Sequence, residues 1–158
     1  MKKEQIQDFT RRISQSNRTG LTLVTYDIFF AYTAEAKEAF DAGDWQRCKE
    51  ALRGADRAVQ ELCDTLDFTY DLAKQLYQIY HFSKEAIAKS MYKKDLTELA
   101  QAERMMESLR SAFEKVASED DSAPLMSNTE QVYAGFTYGK ENLVENYQNP
   151  NGSRGFLA

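Results

Sequence analysis

Residues 20–32, GLTLVTYDIFFAY, are apolar on two sides. At a helix's step of about 100° per residue, Leu21, Val24, Ile28, Ala31 and Tyr32 fall on one stripe, while Leu23, Tyr26 and Phe30 fall almost opposite. A single bundle core buries one of these stripes. Leu23, Tyr26 and Phe30 are therefore expected to form a surplus apolar face, and such faces mark interaction sites.

The rest of the chain reads as helices with short joints. Ile6, Phe9 and Ile13 suit a short amphipathic helix over residues 4–15. SQSNRTG then supplies capping side chains for a long helix from Arg18 to Ala42. Gly43 is placed where a left-handed residue ends a helix, and Asp44 where the next is capped. That third helix has the cleanest period: Trp45, Cys48, Leu52, Ala55, Val59, Leu62 and Leu66 alternate steps of three and four. A fourth helix over residues 70–92 carries a core stripe of Leu72, Leu76, Ile79, Ser83, Ala86, Ile87 and Ser90. Asp95 and Glu98 stand at capping-box spacing before a last helix, whose apolar positions run from Leu96 through Leu99, Ala102, Met106, Leu109 and Phe113 to Val116. The expected fold is all-α: an antiparallel four-helix bundle with a short N-terminal helix and an irregular C-terminal extension. The bundle domain is expected to span residues 1–117, with a cap segment over 1–16, and the extension 118–158.

Composition restricts the function classes. The 158 residues suffice for one core, and no run of about 18 apolar residues marks a membrane span. The start, MKKEQIQDFTRR, lacks the apolar segment of a secretory signal, so a cytoplasmic location is expected. Net charge is 20 minus 25, or −5, and six acids against two bases from Ala117 onward account for most of it. A nucleic-acid binder would need a basic face instead. The one basic cluster, Lys84, Lys89, Lys93 and Lys94, reads as a solvated helix face.

Candidate chemistry is sparse. The single histidine, His81, excludes the paired Glu-x-x-His motifs of a di-iron bundle. Cys48 and Cys63, on one helix and roughly 22 Å apart along it, form neither a disulfide nor a zinc site and read as small buried hydrophobes. No glycine-rich phosphate loop is present. Asp27 has no nameable base or nucleophile beside it and reads as a capping or solvated acid. No enzyme, catalytic residue, metal or cofactor is expected.

Several stretches together resemble one family. GLTLVTYD, GADRAVQELCDTLD, IYHF, and YKKD followed fourteen residues after Asp95 by LRSAFEKV are similar, in order and spacing, to the FliS family of flagellin-export chaperones over residues 18–116. The sequence departs from the family pattern at Asn17-Arg18, where Ser/Thr-Pro is usual, at Glu85-Ala86 and at Met91. The resemblance implies a cytoplasmic bundle that holds the C-terminal segment of flagellin as helices in hydrophobic grooves, prevents premature polymerisation and presents the subunit to the flagellar export gate.

The candidate groove joins Leu23, Tyr26 and Phe30 to the small residues Ala51, Gly54 and Ala58 of the third helix. A mid-helix glycine costs about 1 kcal/mol relative to alanine, so Gly54 marks a close approach, either by a client helix or by a neighbouring helix of the bundle. Ile6, Phe9 and Ile13 are the expected N-terminal cap over the stripe. The resemblance implies the same role, with Phe9 near the family's capping aromatic. The tail, with VYAGFTYGKENLVENYQ and RGFLA, is rich in aromatics, and docking, disorder and a further partner all remain open for it, while SEDDSAP before these stretches reads as a simple solvated linker. A second functional reading is a self-associating structural or regulatory bundle with a different protein partner, in which Leu23, Tyr26 and Phe30 pair with the same surface of a second copy, as a homodimer, or exchange helices with it.

Overall fold

The computed structural model describes residues 1–126. They form five helices and no strand among the described residues: α1 (Lys3–Gln15), α2 (Arg18–Asp41), α3 (Trp45–Asp64), α4 (Asp71–Lys93) and α5 (Thr97–Glu119). The expectations for the tail beyond residue 126 lie outside the described residues.

Local chemistry sets these boundaries. The Asn17 side-chain oxygen accepts from the Gly20 amide at 2.8 Å and starts α2. Gly43, at φ +74°, turns the chain out of α2 in the left-handed conformation that glycine tolerates best. Asp44 then caps α3 through the Arg47 amide at 3.0 Å. α4 ends differently, because its left-handed residue is Lys94 (φ 53°), whose ammonium lies 5.8 Å from the centre of the Trp45 ring. The expected capping box at Asp95 does not form. Asp95 accepts from the Thr97 amide and hydroxyl, and Glu98 is drawn away to Lys89 and Lys93.

α2 packs on α3, α3 on α4, α4 on α5 and α5 on α2, while α1 packs against α2 from outside this set. The core they share contains Phe29, Leu52, Val59, Leu62, Ile87, Leu99 and Met106. Two expected stripes are corrected. On α4, Tyr80 is buried, and Leu72 is 61% exposed at the helix start. On α2, the buried residues are Val24, Tyr26, Phe29, Thr33, Ala36 and Ala39, so of the stripe expected to be core only Val24 is fully buried.

The burial of Tyr26 has a specific cause. Its hydroxyl meets that of Tyr80 at 2.6 Å, and its ring lies 5.6 Å from that of Phe113 on α5. A tyrosine can enter a core when its hydroxyl finds a partner there. Burial pushes the pKa of both phenols up, so both stay protonated.

Candidate functional site

With Tyr26 and Phe29 turned inward, α2 presents a different stripe to the surface. Leu21, Thr25, Ile28 and Tyr32 form one wall of an open groove of about 1170 Å³. Gly54 and Ala58 of α3 form the other wall, and Leu62, Tyr80 and Phe113 contribute to its lining. The groove continues under the α3–α4 joint, where Phe68, Tyr70 and Leu72 are exposed along its edge. Phe68 also packs edge-on against Tyr77 at 5.8 Å, and Tyr77 stacks on His81 at 6.0 Å, which extends the apolar surface along α4. Charged side chains of both signs, Arg18, Arg57, Glu61, Asp64 and Asp67, border the apolar strip. An apolar strip between charged edges fits an amphipathic helix.

The expected groove residues separate into two groups. Gly54 and Ala58 line the groove, and Ala51 is buried in the core beside them. Tyr26 is fully buried, so Leu23, Tyr26 and Phe30 do not form one exposed stripe. Leu23 and Phe30 are half-buried, with the Phe30 ring 5.1 Å from Phe29 in an edge arrangement. Of the stripe expected to be core, Leu21, Ile28 and Tyr32 line the groove, whereas Val24 is buried. Because residues 20–32 are apolar on both sides, their hydropathy alone carried no direction.

Gly54 owes its identity to a close approach within the bundle. A methyl group there would lie 2.4 to 2.6 Å from atoms of the Tyr32 ring, so the ring rests on the bare backbone of α3. Of the two readings of this glycine, a neighbouring helix of the same bundle is the one observed.

α1 is held along α2 chiefly by charge. Asp27 pairs with Arg12 of α1 and, at 2.5 Å, with the Nε of Arg110 on α5. Its side chain is 15% exposed, and the double pairing accounts for an acid on this mostly apolar helix. The Met1 amino group pairs with Glu35, which also meets Arg47 at 3.4 Å; these contacts hold the Glu35 carboxyl below the usual carboxylate range. Of the three expected cap residues, Ile13 lines the end of the groove, Phe9 is half-buried with Arg12 over its ring, and Ile6 is exposed. α1 thus flanks the groove and cannot cover Tyr26, which lies beneath α4 and α5.

The remaining polar clusters are structural. Lys84 pairs with Asp56, Lys89 and Lys93 with Glu98, and Lys94 lies over Trp45, as a solvated helix face requires. Burial raises the pKa of both cysteine thiols. Among the described residues no group of acids, histidines and cysteines is arranged to hold a metal, and no helix is long and apolar enough to cross a membrane.

A comparison with curated proteins found no match. The family model described as flagellar protein FliS matches residues 1–120, which include all five helices. Helical content, the groove beside α2 and α3, and a match over this span agree, and the chain belongs to the FliS family of flagellar proteins.

Proposed function

We propose that this chain is a cytoplasmic export chaperone for flagellin, built on an antiparallel four-helix bundle of α2 to α5. It binds the C-terminal segment of flagellin as amphipathic helix in the groove, prevents its premature polymerisation and carries it to the flagellar export gate. The carrying observation is the open groove, whose α2 wall of Leu21, Ile28 and Tyr32 meets α3 at Gly54 and Ala58 in a chain of this family. Affinity comes from apolar burial at about 25 cal/mol per Å², reduced by roughly 2 to 5 kcal/mol for ordering a disordered segment. No catalytic step is required of the chain.

The reading is tested by flagellin polymerisation in the presence of the full-length protein. Equimolar protein should suppress filament growth, and the groove variant Ile28→Asp should not. Unchanged growth with the wild-type chain would contradict the proposal.

A further inference from the structure

The chain beyond α5 returns to the joint between α1 and α2. The Asn17 amide donates from Nδ2 to the carbonyls of Asp120 at 3.1 Å and Ser122 at 3.2 Å, while its Oδ1 caps α2. The Thr19 hydroxyl donates to Asp120 Oδ2 at 2.6 Å, and Asp120 Oδ1 accepts from the Ser122 amide at 3.0 Å. Beyond these, the Leu125 amide donates to the Ser16 carbonyl at 3.0 Å. Sequence separations of more than one hundred residues are thereby closed at a two-residue joint. The family match ends at residue 120, so most of this segment lies past it.

We propose that residues 120–125 are a strap that locks α1 in place, with Asn17 as its fastening. Ser16 is the C-cap of α1, so α1 cannot swing from α2 about the joint without straining the Leu125 bond. α1 is also the helix with least of its own to hold it. Ser14 is its one buried residue, Phe9 and Ile13 are half-buried, and its own ion pair to α2 is that of Arg12 with Asp27, Met1 just before the helix pairing with Glu35. A helix with so little burial opens at low cost, so a few added hydrogen bonds weigh heavily. The strap and α1 meet again at the groove, which Ile13 and Leu125 both line. Fastening the strap therefore fixes the wall that α1 gives the groove, and releasing it frees that wall. The consequence for a bound helix rests on the proposed function; the lock itself does not.

Hydrogen exchange of the full-length chain tests the lock without any client. Asn17→Asp keeps an oxygen at the cap, where aspartate serves as well as asparagine, but loses the donor and sets a carboxylate against two carbonyls. Thr19→Val removes the bond to Asp120 and leaves the cap untouched. Both variants should speed exchange of the Leu125 amide and of the α1 amides together, by about tenfold for Asn17→Asp, with the core of α3 unchanged. Faster exchange at Leu125 with α1 unaffected would overturn the lock, as would an unchanged Leu125 amide in both variants. Titrating the same variants with flagellin's C-terminal peptide separates the two claims. Freed α1 with no peptide binding would uphold the strap and sink the flagellin reading.

Discussion

The hydroxyls of Tyr26 and Tyr80 meet at 2.6 Å in the core, and each satisfies the other. No buried side-chain nitrogen or oxygen among the described residues lacks a partner, so this pair is part of a fully satisfied interior. Tyr26→Phe or Tyr80→Phe should each cost about 1 to 3 kcal/mol, because one hydroxyl is left buried and unpaired. The double variant should cost less than the sum. Urea unfolding of the four proteins measures this cycle, and additive losses would contradict the pairing.

Gly54→Ala should change sign with its neighbour. In the wild-type chain the new methyl group collides with the Tyr32 ring and should lower stability. In a Tyr32→Ala background the same change should stabilise, by up to about 1 kcal/mol, through helix propensity alone. Thermal unfolding in both backgrounds reads the sign directly. The same sign in both would mean that the ring does not rest on Gly54.

Asp27→Asn should loosen α1 while leaving α2 to α5 folded. The change removes the charge that pairs with both Arg12 and Arg110. Limited proteolysis should then cut within α1 before any other helix, and far-ultraviolet dichroism should fall by no more than the contribution of one short helix. Global unfolding would show that α1 is integral to the core.

The strap should weaken in acid. Hydrogen bonds from Ser122, and then from Thr19, hold the Asp120 carboxyl below its ordinary value of 3.8. For a depressed carboxylate the stabilisation is complete above the ordinary value and is lost as pH falls through the lower folded one. Protection of the Leu125 amide, compared with core amides, should thus be constant from pH 7 to about 5 and decline below about 4. A decline centred near neutrality would implicate a different group.

Much of this fold is legible in the sequence, and the exceptions have a common cause. Asn17, Gly43 and Asp44 act within a few residues of themselves, so their effect on α2 and α3 can be read locally. α3 is strongly amphipathic, and its Cys48 to Leu62 stripe is buried as its period implies. α2 has almost no amphipathic direction, so which side met the core depended on Tyr80 and Phe113, residues of α4 and α5. Tyr80 was missed on α4 for the same reason, since a tyrosine reads as core only once its hydroxyl's partner on another helix is known. The groove's small wall at Gly54 and Ala58 was visible as composition, but the ring that rests on it was not. SEDDSAP reads locally as a solvated linker, yet Asp120 and Ser122 within it are fastened to Asn17 and Thr19, which no local rule shows because the partners lie more than one hundred residues away.

Leu72 gives the sharpest test of the groove, since at 61% exposure it can be changed with little effect on folding. Leu72→Asp should leave the unfolding midpoint nearly unchanged and weaken binding of flagellin's C-terminal segment by tenfold or more, about 1.4 kcal/mol. Leu23→Asp, away from the groove lining, should weaken it much less.

Calorimetric titration of the full-length chain with the C-terminal segment of flagellin from the same genome is the most direct measurement. The account predicts saturable one-to-one binding with a negative heat-capacity change and a gain in helicity, weakened by Leu72→Asp and Ile28→Asp. Absence of binding by the wild-type chain and by Asn17→Asp, or binding indifferent to both groove substitutions, would contradict it.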